Sequence, residues 1–569
     1  MTAAVGTAPR WRLRRPFAHQ ERLVQLPPVV GTVLAARGIT TREAADRFYK
    51  PHLETRHDPL LLPGIDRALQ RTREAIANRE SIALFGDFDV DGVTSVAILK
   101  LALERLGAKT IPYLPDRFSE GYGLNLKAVE TLRDAGAGLL ITADCGTSSV
   151  EEIAFANDLG TDVIVLDHHA VPPELPAALA VINPKTSGSL YPFTELAAVG
   201  VAYRFLQVLY ESLGRELPEH EFIDLVALGT VVDVAPLFDE NRTIVAAGLE
   251  QMRASPRPGV EALAAVSGVM PGRMGAESLG FGLGPRMNAA GRITHAQAAL
   301  DLLLAGTPAE ARPFAAHLDA LNRQRQQECE QGQLEAEEML GVSDDPLIMI
   351  GSERMHAGII GIVAGRLAES RNRPAIVYER GAAESRASAR TIPAFDIISA
   401  IRKDADLLER HGGHRAAAGF TIRNENVEPF RERIVNTAAE LLSSEDLRRV
   451  MQIDAEAALS DLTGIEVKGL TRFEPCGEGN RRPVLLSRNV QLVDSRRVGA
   501  DESHLKLKVR DGAATWPGIA FRKGDAELAD ELDIVYSLSR EWKGERMEIE
   551  VLDFAPSAER RPLELLTPD

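Results

Sequence analysis

From about Ile82 to Val234 the chain alternates short apolar runs with amphipathic stretches. "SIALF" ends just before Asp87, and "VTSVAILKLALERLG" follows with the spacing of an amphipathic helix. "GLLIT" runs up to Asp144, "DVIVL" ends at Asp167, and the further apolar segment "FIDLVALGTVV" ends at Asp233. Apolar runs separated by helical patterns predict an α/β unit with a parallel sheet. Each run then delivers an acidic residue at its C-terminal end, the edge of an open parallel sheet where ligands bind.

After about Pro236 the pattern turns irregular, with the Gly-rich "GFGLGPRMNAAGR" at Gly280–Arg292. Pro308–Leu340, rich in Ala, Glu, Gln and Leu, predicts one extended helix connecting two lobes. A second α/β unit starts near Pro346 and runs to about Leu442. Beyond about Gln452, "VQLVDSRRVG", "HLKLKVRDG", "WPGIAF" and "MEIEVLDF" alternate as short strands and predict a small β-barrel. The expected division is an N-terminal extension (1–70), an α/β catalytic domain (71–305), a connecting helix (306–342), a second α/β domain (343–445) and the barrel (446–560).

At 569 residues the chain is too long for one core. It holds no run of about 18 apolar residues, so no membrane partner is expected. The basic start "MTAAVGTAPRWRLRRPF" has no apolar core behind its arginines and does not read as a signal peptide. Cys145, Cys329 and Cys476 are few, odd in number and far apart, which suits a reducing cytoplasm and excludes a cysteine-built zinc site. The net charge of −17 argues weakly against a nucleic-acid partner, because binding depends on local patches and bound metals. It suits a protein that holds divalent cations.

The stretch "LFGDFDVDGVTS" at Leu84–Ser95 carries three aspartates at alternate positions. Asp87, Asp89, Asp91 and Gly92 match the opening of an EF-hand, but the twelfth position is Ile98, which coordinates nothing. A different site fits better: Asp87, Asp89, Asp144, Asp167-His168-His169 and Asp233 at one sheet edge. So many carboxylates raise one another's pKa unless cations are present. Oxygen ligands with a single imidazole favour Mn²⁺ or Mg²⁺ over zinc. Two such ions about 4 Å apart clamp the attacking and leaving oxygens of a phosphoryl transfer. Asp87 and Asp89 face the same way in an extended segment, whereas Asp91, just before Gly92 and the helix, reads as a helix cap.

"GDFDVDG", "TADCG" and "LDHHAVP" resemble the opening motifs of the DHH phosphoesterase superfamily, with Asp167-His168-His169 as its namesake triad. "GPRMNAAGR", "ASART" at Ala387–Thr391 and "HGGHRAAAGF" at His411–Phe420 are similar to its bacterial single-stranded-DNA-specific exonucleases. The resemblance covers about residues 70 to 555. It implies a DHH domain, a DHHA1-type domain and an oligonucleotide-binding (OB) barrel. It implies hydrolysis of single-stranded DNA from the 5′ end to mononucleotides with two Mn²⁺ or Mg²⁺ ions, in recombination and repair. The implied setting is a cytoplasmic monomer, with a single-stranded-DNA-binding protein and a helicase as candidate partners.

By the same resemblance, Asp87 and Asp144 hold one metal, and Asp89, Asp144, His168 and Asp233 hold the other. His169 faces the scissile phosphate while Asp167 orients the histidines. Arg286 and Asn288 match phosphate-contacting positions. Ser388, Arg390 and His414, with the backbone of Gly412 and Gly413, match residues holding the terminal phosphate, and Arg117 and Tyr122 are candidate grips on the strand. Exposed N–H groups of Gly-Gly and the planar fork of Arg suit that anion independently. In "HLKLKV", His504, Lys506 and Lys508 share one face, a candidate single-strand track with Trp516 or Phe521 as stacking platforms.

Two departures stand out. Many members carry a histidine metal ligand shortly before the first Asp, where this chain has Phe85. Some carry a further domain after the barrel, whereas this sequence stops at Asp569, as a short form or a truncated chain. A DHH phosphoesterase acting on small substrates shares the metal site but needs neither long helix nor barrel. A catalytically silent DNA-binding scaffold would have lost ligands that are intact here.

Overall fold

A computed structural model describes residues 8–14, 25–51, 56–341, 343–540 and 546–566. Most of the basic N-terminal stretch read for a signal peptide lies outside these residues.

The first domain holds a five-stranded, all-parallel sheet. Its strands run in the order Lys109–Tyr113, Ser81–Gly86, Ala137–Ala143, Asp162–Leu166, Ala180–Ile182. The chain begins at Ser81–Gly86, steps outward to Lys109–Tyr113, then returns to the other side with Ala137–Ala143. Connections thus leave the first and third strands in opposite directions, and the crevice at such a switch point is the ligand site of a doubly wound fold. Alternation along Ser81–Gly86 sends Ile82 and Leu84 into one core and Ala83 and Phe85 into another, so helices cover both faces.

The segment Ile223–Val232 is a helix, not a sheet strand, and Asp233 is its C-cap. The strand reading fails because Ile223–Thr230 are all buried. A helix that is apolar all round carries no 3.6-residue signal to separate it from a buried strand. Asp233 therefore approaches the sheet edge from a covering helix.

Pro308–Leu340 is one helix of 33 residues, roughly 50 Å long. Thr307 caps it by accepting from Glu310 N–H, with Pro308 pre-set in the first turn. Beyond it lies a second five-stranded sheet, ordered Leu408–His414, Ala417–Arg423, Glu384–Arg390, Ala375–Arg380, Ile348–Ser352. The C-terminal strands Leu485–Val498, His504–Asp511, Ala514–Ala520, Met547–Pro556 and Glu531–Arg540 close into a barrel, since Leu485–Val498 pairs with both its second and last neighbours.

The N-terminal residues are built onto this barrel. Strand Arg10–Arg14 lies between Val450–Ile453 and Leu563–Leu566, parallel to both. Trp11 is fully buried and donates its indole N–H to Asp553 at 2.9 Å. Helix Pro28–Ala36 adds Val29, Val30, Val33 and Leu34 to the barrel core.

Candidate metal centre

Asp87 follows the first strand directly and is 2% exposed. Asp89, two residues on, caps helix Val90–Arg105: its Oδ1 accepts from Asp91 N–H (2.9 Å) and Gly92 N–H (3.2 Å). Gly92 is required because a Cβ there would lie 2.3 Å from the Asp87 carbonyl oxygen. The helix thus starts hard against the Asp87 backbone and holds both carboxylates beside the third strand. Asp144, just past that strand, has φ of 63°, a left-handed conformation that Asp tolerates better than most non-glycine residues.

Asp91 is indeed a cap, but of a different helix. Its two oxygens accept from Ala198 N–H (2.7 Å) and Val199 N–H (2.8 Å) at the start of Ala198–Ser212. Burial, then the Asp89 charge, pushes its pKa up to about 7.

Asp167 organises the histidines. Its Oδ1 accepts from the backbone N–H of His168 (2.7 Å) and His169 (3.1 Å) and meets His169 Nδ1 at 2.7 Å, while Oδ2 accepts from Thr147 N–H at 3.0 Å. Burial would raise the Asp167 pKa, but the His169 contact and the other donors hold it well below the carboxylate range. Burial likewise works against a charged His169, and Asp167 overcomes it, leaving that pKa above the usual value. Nδ1 is the nitrogen turned to the Asp167 carboxylate, an acceptor that favours a proton there, and Nε2 lies 3.0 Å from the Tyr122 hydroxyl.

His168 is different. Burial and the neighbouring His169 lower its pKa to about 3, so the ring is neutral and free to ligate. Its Nε2 lies 3.2 Å from Asp144 Oδ1 and 3.9 Å from Asp91 Oδ2, and its Nδ1 lies 3.8 Å from Asp233 Oδ2. Asp87, Asp144 and Asp233 are all raised well above the carboxylate range, by burial first and then by one another or by Asp89 and Asp91.

Three groups offer ligand atoms within 4.8 Å of one another: Asp87, Asp89 and Asp144; Asp144, His168 and His169; Asp91, His168 and Asp233. Asp144 belongs to two of them. Asp87 Oδ1, Asp144 Oδ1 and His168 Nε2 are buried without any hydrogen-bond partner. Three orphaned acceptors in one cluster are costly unless a cation meets them. Hard oxygens with an imidazole are a donor set for Mn²⁺ or Mg²⁺.

Cationic groups ring this cluster. Arg117 lies 4.0 Å from the Phe88 ring centroid with its Nε buried and unpartnered, and it feels the charges of Asp87 and Asp89. From the second domain, Arg390 donates to Ser388 Oγ (3.1 Å) and Ala389 O (2.8 Å), and burial lowers its pKa. Gly361 permits this seat, since a Cβ there would come 3.0 Å from Ser388 Oγ and 3.1 Å from Arg390 Nη2. The pKa of His414 is lowered by burial and then by the charge of His169. Gly413 has φ of 140°, while a side chain at Gly412 would meet open space.

Arg286 and Asn288 are both engaged with protein. Arg286 pairs with Asp319 on the long helix (2.9 Å) and donates to Gly282 O (2.7 Å). Asn288 Oδ1 accepts from Val90 N–H (3.1 Å). Arg292, not singled out in the sequence, donates to Gly358 O (3.4 Å) and feels the charges of Arg117, Arg390 and Asp89. Burial, then Arg117, Arg325 and Arg390, lower its pKa to about 10. The available signal was helical spacing: Arg292 is four residues from Asn288 on Gly284–Ile293 and so shares its face.

Profiles of the DHH family N-terminal domain, the DHHA1 domain and the RecJ OB domain match residues 81–230, 344–442 and 453–553. The chain is 36% identical over 564 residues to the single-stranded-DNA-specific exonuclease RecJ of Dickeya dadantii, covering 94% of this chain and 96% of that protein. It belongs to the RecJ family. The Bacillus subtilis RecJ is 37% identical over 528 residues, and the chain spans 66% of that longer relative. Among solved structures, RecJ of Thermus thermophilus in complex with Mn²⁺ superposes with a TM-score of 0.84 at 29% identity, covering 98% of this chain and 80% of that one. The Mg²⁺ complex of the same protein gives 0.77 at 28% identity. The DHH domain, the second α/β domain and the OB barrel expected from the sequence are thus those of RecJ.

Proposed function

We propose that this chain is a two-metal exonuclease that hydrolyses single-stranded DNA from its 5′ end, releasing mononucleotides. The observation that carries the reading is the set of orphaned acceptors, Asp87 Oδ1, Asp144 Oδ1 and His168 Nε2, at the switch point of the sheet. Bound there, two Mn²⁺ or Mg²⁺ ions supply an activated water and Lewis-acid stabilisation of the phosphoryl oxygens. Asp87 and Asp144 hold one ion, and Asp89, Asp144, His168 and Asp233 hold the other.

His169 presents Nε2 to the scissile phosphate, its proton kept on Nδ1 by Asp167. Ser388, Arg390, His414 and the N–H groups of Gly412 and Gly413 receive the strand's first phosphate. Arg117, which feels the charges of Asp87 and Asp89, and Arg292, which feels those of Arg390 and Asp89, hold the phosphates in between. A chain end capped on the second domain and metals held on the first would together give both polarity and a mononucleotide product.

RecJ proteins act on single strands, so proteins that expose or coat such strands, a helicase and a single-stranded-DNA-binding protein, are the partners we infer for a cytoplasmic monomer. The test is a time course of end-labelled single-stranded DNA with Mn²⁺. Asp89→Ala should abolish cleavage while metal-free DNA binding survives. Cleavage of small phosphodiesters only would favour a small-substrate phosphoesterase, and binding without cleavage by the unaltered protein would favour a scaffold.

A further inference from the structure

Arg242, in helix Asp239–Ala254 of the catalytic domain, is 3% exposed and donates to carbonyls of another part of the fold. Its Nε donates to Phe48 O (3.1 Å). One terminal nitrogen donates to Phe473 O and Pro475 O (both 3.0 Å), and the other to Glu474 O (2.9 Å) and Arg472 O (3.4 Å). Its guanidinium carbon also sits 4.0 Å from the Phe48 ring centroid. All five N–H donors of a guanidinium are thereby used on backbone acceptors, a geometry no other side chain supplies. Nearby, Leu237 donates its N–H to Glu478 O at 2.7 Å. The loop that follows the metal ligand Asp233 is thus fastened to the segment leading into the barrel.

That segment is one wall of a groove of about 1270 Å³ between catalytic domain and barrel. The opposite wall carries Phe281, 82% exposed, on the π-helical turn Ser278–Leu283. Single π turns in helices are frequent at functional sites. The barrel wall carries Phe521, 51% exposed, and Arg540, which has no ion-pair partner among the described residues. The groove's acids Glu277 and Glu550 are taken up by Arg482, and Glu548 by Lys506. Glu474, also on the groove wall, is exposed, and beside it Phe281, Phe521 and Arg540 are left to offer stacking faces and a cation, the chemistry that holds unpaired bases and their phosphates. The helix Gly284–Ile293 leads from this groove to Arg292, roughly 12 Å along its axis, so a strand reaching Phe281 extends beyond the reacting nucleotide.

We propose that Arg242 is a positioning residue that sets the spacing between the Phe281 turn and the barrel, and that Phe281 stacks on bases of the strand held there. The proposal rests on the single-stranded-DNA reading above. Its role is to make binding of long strands tighter than binding of short ones, with no part in the chemical step.

The experiment compares 5′-phosphorylated oligodeoxynucleotides of about four and about twenty nucleotides, bracketing the reach of one OB fold. Arg242→Lys keeps the charge but supplies at most three of the five donors. Phe281→Ala alters an exposed side chain and leaves the fold intact. Both variants should raise KM on the long substrate about tenfold while kcat on both lengths and KM on the short one stay within about twofold. An unchanged long-substrate KM in Phe281→Ala removes the strand from the groove and overturns the proposal. An equal loss on both lengths in Arg242→Lys makes Arg242 a general structural residue, which overturns its positioning role. Failure of the unaltered protein to cleave either oligonucleotide would instead sink the exonuclease reading, so the two failures are distinguishable.

Discussion

The side-chain carbonyl of Asn288 accepts the backbone N–H of Val90 at 3.1 Å, joining helix Gly284–Ile293 to the first turn of the helix that Asp89 caps. That N–H is one of the orphan donors of a helix start, and Asn288 satisfies it from outside the helix. The bond also fixes which end of the amide is which, so the NH₂ group points away from Val90. Asn288→Ala should cost about 1–3 kcal/mol by leaving the buried donor unpaired. Asn288→Asp keeps the acceptor and should retain most of the stability, yet replaces two donors with negative charge. A rise in KM for DNA in Asn288→Asp, with a melting temperature close to the unaltered protein, would assign the NH₂ to phosphate. Equal KM in both proteins would leave Asn288 as a holder of Asp89 alone.

Arg390 should act through binding. Its guanidinium is held by Ser388 and Ala389 with Nη2 beside Gly361. Arg390→Ala is expected to raise KM more than it lowers kcat, and Gly361→Ala to give a weaker version of the same change by displacing the fork. A 5′-phosphate should speed degradation and a 3′ block should leave it unaffected. Digestion that begins at the 3′ end would reverse the assigned orientation of the second domain.

The metal-free protein should lose stability as pH rises. Asp87, Asp144 and Asp233 are held above the ordinary carboxylate range and Asp91 at about 7, so the folded chain keeps protons that the unfolded chain gives up near 3.9. Where the native state binds more protons, stability falls with increasing pH, here from about 4 through about 7. Asp167, held low, acts with the opposite sign only in stronger acid, and His168, lowered to about 3, opposes the trend up to about pH 6.5, one imidazole against the four raised carboxyls. Chelated protein should therefore melt at a lower temperature at pH 8 than at pH 5. Mn²⁺ should restore more at the higher pH, adding about 2.7 kcal/mol at a hundredfold excess over its Kd. A melting temperature in chelator that is flat or rising over this range would contradict the assignment of these groups.

Legibility in the sequence followed the kind of signal. Asp87 and Asp144 were visible because each follows an apolar run that is a strand, and Asp89 because it stands two residues beyond Asp87 at the start of a helix. The 33-residue helix was visible because a polar face repeats along it without interruption. Asp233 was found for the wrong structural reason, since Ile223–Val232 is buried on all sides and lacks any period. The second role of Asp91, capping a helix 107 residues later, depends on tertiary approach and leaves no local mark. Arg286 and Arg292 differ only by which face of one short helix they occupy. There the motif drew attention to Arg286, which pairs with Asp319, and not to Arg292, which feels the charges of Arg117 and Arg390. The N-terminal strand Arg10–Arg14 was missed because its partners lie more than 400 residues away.

Phe85 makes the two metal sites unequal. On the proposed assignment, one ion would have Asp87 and the shared Asp144, whereas the other would have Asp89, Asp144, His168 and Asp233. Divalent ions with few protein ligands keep several waters and are completed by substrate phosphates. The weaker ion should bind tightly only with DNA present, and activity should need more free Mn²⁺ than filling of the stronger site. Phe85 itself is fully buried and stacked on Tyr113, with ring centroids 5.6 Å apart and planes 16° from parallel. By alternation it shares a face with Asp87 two residues on. Phe85→His would thus place an imidazole on the ligand's side of the chain at the expense of that stack, roughly 0.5–1.5 kcal/mol beyond the lost area. The variant should melt lower without metal and reach half-maximal activity at lower Mn²⁺. Titrating Mn²⁺ by calorimetry and spin resonance, with and without DNA, measures both sites. Two equally tight sites in the DNA-free protein would refute the asymmetry. An unchanged Mn²⁺ requirement in a well-folded Phe85→His would show that the ring at this position stays in the core it now fills.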